Sequence, residues 1–274
     1  GSSLTYQWQS DISGSWADLT DGGDISGSTT NTLTIANAAN ADEANYRVVV
    51  SGDCGPDQTS NGVNLTVNDA TQITSQPVNQ TVCEGNDASF SVSADGISLS
   101  YQWQSNASGS WADLTDGGDI SGATTSTLTI ANAESADQAD YRCVVSGGCG
   151  TETSNAATLT VDPATHVVSN PNDQQVCEQV DVTFGVEATG SGALTYRWQS
   201  NASGVWQNLS DGPNISGSGT DSLTITSVDT TFEADYRAIV TGGCGSDTSL
   251  SANLDVNYFD INVGQPSPFA VDTN

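Results

Sequence analysis

The side chains with chemistry beyond packing are six cysteines, one histidine and a recurring group of aspartates. Asp113, Asp116 and Asp119 stand in one glycine-containing stretch and offer hard oxygen donors of the kind calcium takes. Asp18, Asp21 and Asp24 repeat that spacing, and a third occurrence is broken by Asn208 and Asn214. No stretch has the Asp-x-Asp-x-Asp-Gly order of a calcium loop. Aspartates in such turns more often accept hydrogen bonds from their own backbone, and that reading is preferred here. Calcium is therefore the one cofactor the residues offer, without a dedicated site. The single histidine, His166, lies where two repeated units join, so no Ser–His or Cys–His constellation recurs along the chain. It is expected to be an exposed linker residue, and the chain is not expected to be an enzyme.

The elements that hold these residues are short alternating strands. Tyr101 and Trp103 sit two apart and share a strand face. Thr127-Leu128-Thr129-Ile130 alternates, and so do Tyr141, Cys143 and Val145 against Asp140, Arg142 and Val144. A Trp on an early strand, a Leu-x-Ile strand and then Asp-x-Tyr-x-Cys make the inner-face pattern of an immunoglobulin-like sandwich. Tyr141 is placed for a tyrosine corner, with its hydroxyl bonded back to the preceding loop. The pattern repeats: Trp8, Trp103 and Trp198 recur every 95 residues, as do Tyr46, Tyr141 and Tyr236, and Cys54, Cys149 and Cys244. A period of that length is one whole sandwich. The expected architecture is all-β, tandem immunoglobulin-like sandwiches strung as beads, with those Trp and Tyr residues in the cores.

The chain divides accordingly into residues 1–67, a first repeat entered at its third strand and lacking its first two; 68–161, a second; 162–257, a third; and 258–274, the opening strand of a fourth. The half-sandwich at the start is expected to expose two strand edges and an uncovered core and to need completion, by a longer parent chain, the preferred reading, or by strand addition from another subunit. Helix is expected only as single turns near residues 41–45 and their equivalents.

With 33 acidic residues against 4 basic, all arginine, the net charge is −29. Such a surface repels phosphate backbones and anionic lipid, so nucleic acid and membrane insertion are excluded as partners. Without lysine the chain cannot form Lys–Asn isopeptide crosslinks. Trp16, Trp111 and Trp206 recur as second tryptophans, suited either to stacking a sugar or to packing on the outer sheet.

Tyr101-Gln102-Trp103-Gln104, the run Ser121 to Ile130, and Tyr141-Arg142-Cys143-Val144-Val145-Ser146-Gly147-Gly148-Cys149-Gly150 resemble the bacterial Ig-like tandem repeats of large secreted and cell-surface adhesin-type proteins, such as those of Bacteroidetes. So does the run from Thr153 to Val161. The resemblance covers essentially the whole chain. It implies a structural or adhesive segment of a long extracellular fibre, stalk or surface adhesin, with neighbouring Ig-like repeats as partners and a glycan or surface ligand as a further one. Two alternatives stand beside it: a glycan- or protein-binding module, and an accessory region of a secreted hydrolase.

The cysteines give the sharpest expectation. Cys143 holds the place of the sandwich disulfide, but the facing position is Val92, so it should be a buried free thiol. Cys83 lies at the end of the sandwich where the chain leaves, and Cys149 at the opposite end. A strand of seven or eight residues separates those ends by roughly 25 Å, whereas a disulfide needs Cα atoms within about 7 Å. Cys83 is therefore expected to pair across the linker with Cys244, leaving Cys54, Cys149 and Cys177 for neighbours outside the chain or free. The competing arrangement is Cys83–Cys149 with Cys177–Cys244.

Overall fold

The computed structural model describes residues 3–257, so the opening strand expected over 258–274 lies outside the described residues. In the second repeat one sheet runs, in spatial order, Ala112–Asp113, Ser100–Ser105, Asp140–Gly147, Ala157–Asp162 and Gln80–Cys83, with Gly150–Thr153 also paired to Asp140–Gly147. The facing layer is Ala88–Ser91, Thr127–Ile130 and Ile120–Ser121, continued by Gln72–Ser75 against Ser93–Asp95. The first segment thus serves both layers. It pairs with Ser93–Asp95, passes Pro77, and then joins Ala157–Asp162 as a parallel strand. Proline has no N–H to leave unpaired at such a switch.

Alternation fills the space between the layers. Ala88, Phe90 and Val92 point inward from one sheet, and Tyr141, Cys143 and Val145 from the other, all buried. Phe90 stacks on Tyr141 with centroids 5.1 Å apart and lies 6.3 Å from Trp103. The Trp103 indole N–H donates to the Thr125 carbonyl, and the Tyr141 hydroxyl donates to Asp137 O at 2.7 Å. Both polar tips are thereby satisfied inside an apolar core. The third repeat reproduces this with Phe184, Tyr236 and Trp198.

The first repeat differs. Its larger sheet has Ala17–Asp18, Leu4–Ser10, Ala44–Gly52 and Gln58–Thr59, with Val63–Leu65 off Ala44–Gly52. Its facing layer is only Ile25–Ser26 with Thr34–Ile35; among the described residues nothing stands where Ala88–Ser91 stands in the second. An open groove of about 330 Å³ results, lined by Trp8, Leu33, Ile35, Tyr46 and Leu65. Trp8, expected in a core like its equivalents, is only half-buried, whereas Trp103 and Trp198 are fully enclosed. Tyr46 is buried and keeps its corner bond to Asp42 O.

Two local expectations are corrected. The single helical turns are 3₁₀ turns at Asn40–Asp42, Ser135–Asp137 and Thr230–Phe232, starting a residue before the expected place. His166 does not sit in a linker: it opens the strand His166–Ser169, paired with Thr189, and points to solvent 4.0 Å from the Asp247 carboxylate.

Candidate functional site: the junction between the second and third repeats

Cys83 is the last residue of Gln80–Cys83 and lies in register with Asp162, the last residue of Ala157–Asp162. The Glu84 N–H donates to Asp162 O at 2.8 Å. The place where the chain leaves the second repeat and the sulfur of Cys83 are therefore side by side. On the other side of the junction, Ala234–Gly242 and Gly245–Thr248 form a hairpin whose closing pair is Gly242 and Gly245. That leaves Gly243 and Cys244 as its tip. Cys83 and Cys244 are joined, S–S 2.04 Å with Cα atoms 5.4 Å apart, across a sequence separation of 161.

The tip is aimed by its glycines and the linker. Gly243 N–H donates to Ser191 O at 2.7 Å, and Thr165 N–H donates to Cys244 O at 3.2 Å. A Cβ on Gly242 would stand 2.7 Å from Thr165 Oγ1, and one on Gly243 would stand 2.8 Å from Ser191 Oγ. Gly242 packs against Thr165, Leu194 and the Ser191 carbonyl, where a Cβ would force the buried Thr165 aside, while at Gly243 the crowding atom is the Ser191 hydroxyl. Thr165 is buried in that wedge. The two sandwiches are tied at two points, the linker 163–165 and the disulfide. A second tie restricts the hinge motion that a single linker permits.

The other cysteines are unpaired. Cys143 is fully buried opposite Trp103, and burial pushes its thiol up to about 11. Cys54, Cys149 and Cys177 are exposed. Pairing within one repeat, Cys83–Cys149 or Cys177–Cys244, does not occur.

The aspartates do not gather into a metal centre. Asp113 accepts from Gln104 Nε2, and Asp116 accepts from the Ala123 N–H, both at 2.7 Å. The Asp119 backbone carbonyl accepts from Ala131 N–H. Among the described residues no three of His, Cys, Asp and Glu group to hold an ion. In the equivalent turns, hydrogen bonds from Ser28 hold Asp21, and from Ser218 hold Asp211, below the usual carboxylate range. The Asp21, Asp116 and Asp211 carboxylates brace turns, and Asp113 bonds across the sheet.

A second feature went unread in the sequence. Arg47, Arg142 and Arg237 lie over the rings of Trp16, Trp111 and Trp206, at 4.1, 4.2 and 4.1 Å from the ring centroid. Each arginine Nε donates to a glutamine, Gln9, Gln104 or Gln199. Each glutamine amide then donates across the sheet to Asp18, Asp113 or Asn208. One face of every second tryptophan is thus covered by its own chain. The signal was present, since each Gln follows the core Trp and each Arg follows the corner Tyr, but strand register was needed to bring them together.

A family model described as a domain of unknown function (DUF8696) matches residues 72–163. The muscle M-line assembly protein unc-89 of Caenorhabditis elegans is 29% identical over 231 residues, 82% of this chain and 3% of that protein. Endoglucanase C of Cellulomonas fimi is 30% identical over 187 residues, 67% of this chain and 16% of that protein. The chain thus spans a small part of the curated relatives it matches. Among solved structures, a three-domain I-band fragment of titin superposes with a TM-score of 0.66 at 16% identity, covering 93% of this chain and 88% of the fragment. The fold is an all-β tandem array of immunoglobulin-like sandwiches.

Proposed function

We propose that this chain is a structural and adhesive segment of a long extracellular fibre, stalk or bacterial surface adhesin, in which immunoglobulin-like sandwiches hold a distal part away from the cell. On this reading the chain divides at 67/68, 161/162 and 257/258, and its immediate partners are further repeats of the same kind. The observation that carries the proposal is the Cys83–Cys244 bond. It joins two sandwiches that each have their own core, so its work is to fix their mutual orientation. It also requires an oxidising compartment. Among the described residues no helix is long and apolar enough to cross a membrane.

The test is made on the intact host cell. Antibody to the chain should reach it without lysis, with Cys83 and Cys244 oxidised when trapped with alkylating agent. A chain found inside the cell with both thiols reduced would overturn the proposal. The likeness to part of Endoglucanase C favours one second reading, an accessory region of a secreted hydrolase. A catalytic domain in the same polypeptide would establish it.

A further inference from the structure

The bonded pair has two unbonded counterparts in the same positions. Cys177 ends Gln174–Cys177 in register with Asn257, as Cys83 does with Asp162. It is therefore exposed where the chain leaves the third repeat. Cys149 is at the tip of a hairpin closed by Gly147 and Gly150, as Cys244 is between Gly242 and Gly245. The Gly148 N–H donates to Ile97 O, matching Gly243 to Ser191. The Thr71 N–H donates to Cys149 O, matching Thr165 to Cys244. Thr71 is buried in its wedge as Thr165 is. The apparatus that aims Cys244 at its partner is thus built around Cys149 too.

We infer that Cys149 and Cys177 are the two open halves of further staples of the Cys83–Cys244 kind. Cys177 takes a cysteine at the hairpin tip of an immunoglobulin-like repeat that follows the third. Cys149 takes the cysteine that ends the strand equivalent to Gln80–Cys83 in the repeat before the second. The partner in both cases is another repeat of this sequence type. The inference rests on the fibre reading only for the supply of that neighbour. Each bond forms by exchange with a low-molecular-weight disulfide such as glutathione disulfide. One cysteine thiolate attacks the donor and expels a thiolate; the second attacks the mixed disulfide at the cysteine sulfur and expels the other. Two cysteine thiols lose two protons and two electrons, and the donor leaves as two thiols.

The experiment uses the full chain and two extended forms, each refolded in a glutathione redox buffer. In one, a second copy of residues 163–257 follows Asn257; in the other, residues 69–162 are present twice in tandem. Alkylation after denaturation, followed by non-reducing peptide mapping, reads the pairing. The first form should keep four alkylatable thiols, as in the native chain, and yield a peptide joining Cys177 to the second copy of Cys244. Cys177→Ser in that form should free the second-copy Cys244. The second form should yield a peptide joining the first-copy Cys83 to the second-copy Cys149. Extended chains whose added cysteines all alkylate while Cys83–Cys244 is intact would overturn the inference and leave the fibre reading standing. Absence of Cys83–Cys244 from the native chain would instead remove the observation on which the fibre reading stands.

Discussion

A chain pulled from its two ends transmits force along the shortest covalent path. Cys83 lies near the start of the second repeat and Cys244 near the end of the third, so the disulfide is a shortcut past both cores. Force arriving at Gln72 passes through about a dozen residues to Cys83, crosses the bond, and leaves through about a dozen more to Asn257. At roughly 3.4 Å per extended residue, those two stretches amount to about 80 Å. The sequence separation of 161 between the cysteines represents about 550 Å of contour length that the bond withholds. Single-molecule pulling of the full chain between marker domains should therefore show no full unfolding step for the second or third repeat while oxidised. Cys83→Ser, or reductant, should restore two steps of roughly 320 Å each, one per 95-residue repeat. Full-length steps in an oxidised chain whose disulfide has been verified by mass would refute the reasoning.

Other outcomes follow from the cores and turns. Cys143→Ala should cost about 1–2 kcal/mol in denaturant unfolding through the cavity it leaves, with no crosslink lost; Cys143 should also resist alkylation at pH 9 until the chain unfolds, since burial raises its thiol to about 11. Phe90→Ala removes the ring that stacks on Tyr141 and should cost about 3–5 kcal/mol, confined to the second repeat. Burial pushes the Tyr141 and Tyr236 phenols up to about 12. Their folded values lie above the ordinary 10, so the stability they contribute is complete below pH 10 and lost as pH rises through 12; absorbance at 295 nm should show two tyrosines ionising late, together with alkaline unfolding. Asp11, Asp21 and Asp229 are held low by hydrogen bonds from Asn45, Ser28 and Thr231. Their contribution is complete above the ordinary carboxylate value of 3.8 and lost as pH falls through the lower folded values, so melting temperature should decline below pH 4.

The sandwich was legible because its signals are local and repeated. Alternation within Tyr141 to Val145 tells the strand, its face and its corner without reference to anything else. The half-burial of Trp8 was not legible from its own strand, which reads like that of Trp103, but only from the two strands its repeat lacks. Whether an indole is enclosed depends on a strand in the opposite layer, and for Trp103 that is Ala88–Ser91. The arginine ladder was hidden for a similar reason: Gln104 and Arg142 are neighbours through cross-strand register, not through sequence. The first-repeat hairpin marks a third limit. Ser51 to Gly55 reads almost like Ser146 to Gly150, yet Val49 pairs with Thr59 where Val144 pairs with Thr153. One added residue in the stretch that holds Pro56 loosens the turn, because proline cannot donate to the ladder.

The placement of the arginines also bears on how the chain meets proteases that cut after basic residues. It has no lysine, and each of its four arginines lies inside a strand, at Ala44–Gly52, Asp140–Gly147, Thr195–Ser200 and Ala234–Gly242. Such a protease must draw its substrate into an extended form with the basic side chain free to enter a pocket. Here Arg47, Arg142 and Arg237 are held over tryptophan rings in strands paired on both sides. The folded array therefore presents almost nothing for a trypsin-like enzyme to hold, and cutting should await local unfolding of a central strand.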